Sequence, residues 1–222
     1  MKRIVATILL STLAAGGGAA GATAPRGHAP VPTAPLLTVV GDSLAVTVYT
    51  STTTYVSPSP VAWPFVAGAL LGYEVDDLGV GGTQEPAMIT DQVPKIDSKT
   101  RCAIYIGGTN DVAFNSWQIP AILPRIGEIA NAIKLRAPNA TFVMFTTRPY
   151  RNGERFAQVQ QWNVEVRRVA ARVGARVIDL ETDPQWLVPA DWPDGVHPGE
   201  AISKKLGAAA ATACSSRGSS KT

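Results

Sequence analysis

The sequence predicts an α/β fold with a parallel sheet covered by helices on both sides, and three observations carry that prediction. Short apolar runs end at glycine or just before Arg148-Pro149, amphipathic helical stripes lie between them, and residues able to do chemistry gather just after the runs. Continuous apolar runs of this length suit strands buried on both faces, and strands alternating with helices imply parallel connections. In order, Leu36 to Val40 is ended by Gly41, Cys102 to Ile106 by Gly107, and Thr141 to Thr146 by Arg148-Pro149, with Glu74 to Leu78 and Arg176 to Leu180 as weaker strands. Ile119, Ile122, Ile126, Ile129 and Ile133 recur at helical spacing, as do Val159, Trp162, Val166, Val169 and Val173, and each series builds one apolar stripe facing a core. Trp63 to Leu71 and the alanine-rich Gly199 to Cys214 read as further helices, and Pro86 to Ile96 is the least regular.

With 222 residues, 45% hydrophobic and 17% charged, the chain has material for one sizeable core. Lys2 and Arg3 precede an apolar stretch, Ile4 to Ala15, followed by small residues and Ala20-Gly21-Ala22, the layout of a secretory signal. The expected organisation is a signal peptide over 1–22, a Pro/Ala-rich leader over 23–35, the folded domain over 36–214 and a disordered tail over 215–222. No apolar run approaches the roughly 18 residues of a membrane span, and no cysteine follows the signal to carry a lipid, so no stable membrane anchor is expected. Removal of 1–22 lowers the basic residues from 20 to 18 against 17 acidic ones, a net charge of +1 that offers no footprint for nucleic acid. Cys102 and Cys214 are the only cysteines. In an oxidising compartment an even count favours one disulfide, the alternative being two buried thiols. The last helix should run down the sheet from His197 for about 14 residues, roughly 21 Å, towards the edge where Cys102 opens the third strand, so the thiols can meet.

Four motifs fall just after strands: Gly41-Asp42-Ser43-Leu44, Gly79-Val80-Gly81-Gly82-Thr83, Gly108-Thr109-Asn110-Asp111 and, in the long segment after the fifth strand, Asp194-Gly195-Val196-His197. In an open parallel sheet these positions converge at the carboxyl edge, where such folds hold their sites. A serine hydroxyl needs a base, commonly a histidine held by a carboxylate. His28 lies in the leader, which leaves His197 as the base for Ser43 and Asp194, three residues earlier, as its orienting acid. An oxyanion needs donors. The backbone N–H groups of Ser43 and Gly82 and the side-chain amide of Asn110 can supply three, while Asp42 and Asp111 are read as loop organisers and Asn163 as a helix-surface or packing residue.

Taken together, these blocks resemble the GDSL or SGNH hydrolase family: Ser43 in Gly-Asp-Ser-Leu, Gly82 in Gly-Val-Gly-Gly-Thr, Asn110 in Gly-Thr-Asn-Asp, and Asp194 with His197 in Asp-Gly-Val-His-Pro, in family order across nearly the whole chain after the leader. The second block departs by having Leu78 where an asparagine is common. The resemblance implies a flavodoxin-like three-layer α/β/α sandwich with a five-stranded parallel sheet of order 2-1-3-4-5, and hydrolysis of esters with Ser43, Gly82, Asn110 and His197 as the family's four namesake residues; no cofactor or metal is expected.

Competing sites fit poorly. Gln84 stands where a dinucleotide fingerprint needs its third glycine, one domain histidine and two distant cysteines cannot make a zinc set, and Ala45 breaks the G-x-S-x-G nucleophile elbow. Trp117, Arg148, Tyr150 and Trp192 are the candidate substrate contacts, the tryptophans serving equally well as packing residues. A compact domain without an evident large lid favours short acyl esters, including acetyl groups on carbohydrate. The expectation is therefore a monomeric secreted esterase acting on a small-molecule or carbohydrate ester. A lipase or acyltransferase with the same residues and a non-catalytic carbohydrate- or surface-binding protein on the same fold are the alternatives.

Overall fold

The computed structural model describes residues 34–50, 54–56, 59–149 and 156–215. The expected signal peptide, the leader up to residue 33, the tail beyond Ser215, Tyr150 and the Trp117 side chain lie outside the described residues.

Alternation along the central strand sets the architecture. In β3 (Thr100–Ile106), Cys102, Ile104 and Ile106 face one apolar cluster while Ala103 and Tyr105 face another, as period-two geometry requires. Around it run β1 (Leu36–Gly41), β2 (Glu74–Asp77), β4 (Thr141–Phe145) and β5 (Arg176–Ile178), all parallel. Their spatial order is 2-1-3-4-5, the expected one. β2 lies at the edge with intermediate burial and β5 is only three residues long, which is why both read weakly in the sequence. A separate antiparallel pair, Val48–Thr50 with Thr54–Val56, was not foreseen.

Eight helices among the described residues connect the strands. On one face, α2 (Trp63–Leu71) and α8 (Glu200–Ser215) cover Leu37, Val39, Ile104, Val143 and Phe145. On the other, α6 (Pro124–Arg136) and α7 (Phe156–Val173) cover Val40, Tyr105, Phe142 and Met144. The isoleucine stripe divides between a short α5 (Ile119–Ile122) and α6, because Pro124 begins a new helix where its missing N–H is tolerated. The irregular segment after the second block is α3 (Glu85–Ala87) running into a π-turn, Met88–Gln92, and a 3-10 turn, Val93–Lys95. Two still shorter elements complete the set: α1 (Ser43–Val46) after β1, and α4 (Thr109–Asn115) after β3. Cys102 and Cys214 form a disulfide, with Cα atoms 5.7 Å apart.

Candidate active site

Where β1 stops pairing, its last backbone groups need partners. Gln92 supplies them: its Oε1 accepts the Gly41 N–H at 2.8 Å and its Nε2 donates to the Gly41 carbonyl at 2.9 Å. The next residue, Asp42, caps α1 by accepting the Leu44 N–H at 2.8 Å. Burial raises the Asp42 carboxyl to about 7, against the lowering effect of that N–H and of His197. Ser43 therefore begins α1 in a fixed position, almost buried but with its hydroxyl reaching His197.

The segment carrying His197 is shaped by its own aspartate. Asp194 Oδ1 accepts the N–H groups of Val196 at 2.9 Å and His197 at 2.7 Å, so the three-residue spacing closes as a side-chain turn. Asp194 Oδ2 lies 2.7 Å from His197 Nδ1, and His197 Nε2 lies 2.8 Å from Ser43 Oγ. A carboxylate facing Nδ1 keeps the proton on that nitrogen, which leaves the Nε2 lone pair towards the serine. Partial burial raises the Asp194 carboxyl, but hydrogen bonds from the His197 ring and from the N–H groups of His197 and Val196 outweigh it and bring it down to about 2.

The remaining wall comes from the second and third blocks. Gly82 adopts φ +79°, a conformation that favours glycine, and a Cβ there would meet nothing within 4 Å, so backbone geometry rather than crowding requires the glycine. A Cβ on neighbouring Gly81 would stand 3.9 Å from Ser43 Cβ, which sets this loop against the serine. Asn110 lies in the first turn of α4; its Nδ2 donates to the Thr83 carbonyl at 3.0 Å and has a long 3.5 Å contact to Asp42 Oδ2. Gly108, just before, has φ +97°, and a Cβ there would come within 2.2 Å of Trp162. The loop before Asn110 is thereby pressed onto α7.

Two of the expected substrate contacts, Trp192 and Arg148, are buried. Trp192 is 1% exposed, and its indole N–H donates to the Trp186 carbonyl at 2.9 Å. Arg148 is also buried. Its guanidinium lies over the Trp192 ring, 4.8 Å from the centroid, and donates to the carbonyls of Trp186 at 3.2 Å and Gly195 at 2.8 Å. Both side chains brace the Asp194–His197 turn from behind because burial turns them away from solvent. Trp117 falls in a 3-10 turn, Ser116–Gln118. Asn163, read as a helix-surface or packing residue, is fully buried and clamps Thr147 by accepting its N–H and donating to its carbonyl, both at 2.7 Å. The reading from sequence also missed Tyr49, whose hydroxyl donates to Asp194 Oδ2 at 3.3 Å and whose N–H donates to the Pro198 carbonyl at 2.9 Å. The segment after α1 is thus tied to the histidine segment.

A parallel sheet of this order, with Ser43, His197 and Asp194 in one hydrogen-bonded line at its carboxyl edge, defines a class: a flavodoxin-like α/β domain with a Ser-His-Asp line at the edge where such folds hold their sites. The chain belongs to the GDSL-like lipase/acylhydrolase family, whose model matches residues 39–205. The structure is similar to phospholipase A1 from Streptomyces albidoflavus NA297, with a TM-score of 0.64 and 17% identity over 82% of this chain and 100% of that one. It is similar also to a carbohydrate acetylesterase from Sinorhizobium meliloti, with a TM-score of 0.60 and 14% identity over 80% of this chain and 96% of that one. A third likeness is to the M. smegmatis aryl esterase, with a TM-score of 0.56 and 17% identity over 81% and 97% of the respective chains. No curated protein matches the sequence.

Proposed function

We propose that the protein is a secreted serine esterase that hydrolyses short-chain carboxylic esters, including O-acetyl groups on carbohydrate, through Ser43, His197 and Asp194. The observation that carries this reading is the unbroken line Asp194 Oδ2, His197 Nδ1, His197 Nε2, Ser43 Oγ, with steps of 2.7 and 2.8 Å on either side of the ring. Ser43 Oγ attacks the ester carbonyl as its proton passes to His197 Nε2, and Asp194 stabilises the imidazolium. The oxyanion is met by the N–H groups of Ser43 and Gly82 and by the Asn110 amide, whose second hydrogen is held only by the long contact to Asp42. Collapse expels the alcohol, which takes the proton from His197. Water, deprotonated by the same nitrogen, then releases the acid from Ser43.

Two short connections support the preference for small acyl groups. One residue separates β1 from α1 and two separate β3 from α4, so these connections add little depth around Ser43. Secretion is supported by the amino-terminal signal pattern and by the disulfide. The test is a chromogenic ester series from acetyl to dodecanoyl with the purified protein. The expected profile is highest at acetyl or butanoyl and falls about tenfold or more by octanoyl, since each added methylene finds little surface to bury against. An optimum at long chains would overturn the short-acyl preference, and absence of turnover across the series in a folded protein would overturn the esterase reading.

Tyr49 adds a second donor to the same Asp194 oxygen that accepts the hydrogen bond from His197 Nδ1. Its replacement by phenylalanine removes about 1 kcal/mol of stabilisation from that carboxylate, and kcat is expected to fall roughly fivefold with KM unchanged. Steady-state kinetics on the acetyl ester check it.

A further inference from the structure

Behind the loop that carries Gly82 lies an acidic group for which the hydrolytic cycle has no use. Glu85 opens α3, is fully buried, and accepts a 2.5 Å hydrogen bond on Oε1 from the Tyr105 hydroxyl. Its backbone N–H donates to Asp111 Oδ2 at 3.3 Å, which sets the Asp111 carboxylate against the start of α3. Glu85 Oε2 is buried, and no donor among the described residues faces it. Two carboxylates cannot share such a place while both are charged, whereas one proton between them turns an orphaned acceptor into a donor.

Among the described residues, no donor around Glu85 relieves Oε2. β3 contributes Tyr105, α4 contributes Asp111, and Asp42, whose Oδ2 is 3.5 Å from Asn110 Nδ2, adds a third acid in the same group of loops. α6 packs against this segment with Ile126, Ile129, Ala130 and Ile133 inward, while its Arg125 and Glu128 are exposed. Gly107 leaves the room: a Cβ there would stand 2.9 Å from Glu85 Oε1 and 3.0 Å from the Tyr105 hydroxyl oxygen.

What the pair joins is informative. Three consecutive residues, the last of the second block and the two after it, touch two consecutive residues of the third: Thr83 accepts from the Asn110 amide at 3.0 Å, Gln84 Nε2 donates to the Asn110 carbonyl at 3.4 Å, and the Glu85 N–H donates to Asp111. We propose that Glu85 is a positioning residue for the oxyanion donors, retaining a proton that it shares with Asp111 and thereby locking the Gly82 loop to the first turn of α4. This rests on the esterase reading above for its catalytic consequence, but the proton itself does not. Burial, with Asp111 beside it, holds the Glu85 carboxyl well above the usual carboxylate range.

The sign of the linkage follows. An unfolded Glu85 gives up its proton above about pH 4.5, while the folded protein keeps it. Stability supported by this group is therefore present at acid pH and is lost as pH rises from there towards the raised folded value. Glutamine at this position is a permanent donor that needs no proton. In Glu85→Gln, kcat on the acetyl ester is expected to remain within about threefold of the parent protein, and Tm to fall less with rising pH. Glu85→Ala, which leaves Asp111 and Tyr105 without their partner, is expected to lose about tenfold to a hundredfold in kcat with KM within twofold, because oxyanion donors act in the transition state.

A folded Glu85→Ala with full kcat overturns the positioning role, as does a Glu85→Gln impaired as severely as Glu85→Ala. Parallel Tm-against-pH curves for the parent protein and Glu85→Gln overturn the shared proton, even if the alanine variant fails to fold. A parent protein that hydrolyses no ester removes the esterase reading and the oxyanion role with it, while the melting curves still decide whether the proton is there.

Discussion

Replacing Ser43 by alanine is expected to lower kcat on the acetyl ester by about 10⁴-fold or more while leaving KM and Tm nearly unchanged. The size follows from what the hydroxyl does: its oxygen is the attacking atom, 2.8 Å from His197 Nε2, and alanine supplies no substitute. The small effect on folding follows from its position. Ser43 is the first residue of α1, where alanine is a good helix former, and the cap is made by Asp42 rather than by Ser43. The sharper result concerns His197→Ala, which should lose a similar factor, and the double variant, which should lose little more than either single one. Groups that act as one unit are non-additive in this way, whereas two independent contributions would multiply. Steady-state kinetics on the two single variants and the double, with covalent labelling of Ser43 by an organophosphate followed by intact mass, check both points. Multiplicative losses would mean that the serine and histidine do not act together.

That the residues of this line could be named from the sequence has a physical basis. Their spacing is local or topological: Asp194 reaches His197 by a three-residue turn, and Ser43, Gly82 and Asn110 each follow a strand whose apolar run could be recognised. Parallel connections then bring those loops to one edge whatever lies between. The residues that hold the line in place have no such signature. Gln92 binds Gly41 across 51 positions and Tyr49 reaches Asp194 across 145, and neither contact leaves a periodicity. Gln92 also sits in the segment whose pattern was poorest, since a π-turn between Pro86 and Pro94 breaks the helical repeat. Arg148 and Trp192 show the same thing: a place just after the fourth strand for Arg148, and nearness in the chain to Asp194 for Trp192, fix their location but not the face they turn. Only the packing shows that both are buried, one stacked on the other.

Removing the disulfide is expected to give the largest change in stability with little change in chemistry. Cys102 and Cys214 are 112 positions apart, so the bridge closes most of the domain into one loop, from the opening of β3 to the last turn of α8. In the chain-entropy model a loop of this length contributes about 4 to 5 kcal/mol by restricting the unfolded chain. The double variant Cys102→Ala, Cys214→Ala is therefore expected to melt on the order of 10 to 15 °C lower. Both positions are apolar and buried, so alanine leaves a small cavity but no stranded polar group. The site should not notice at 25 °C: Cys102 lies near the amino end of β3 and Asn110 beyond its carboxyl end, with a strand of roughly 17 Å between. Because β3 is paired on both sides, by β1 and β4, its register does not need the bridge once the sheet has formed. Thermal melts of the parent protein with and without reductant, beside the double variant, and ester turnover at 25 °C on each, test this separation. A parent protein whose Tm is indifferent to reduction would mean that the closed loop contributes no stability, and a loss of turnover at 25 °C in a folded variant would mean that the sheet edge holding the bridge is coupled to the opposite one.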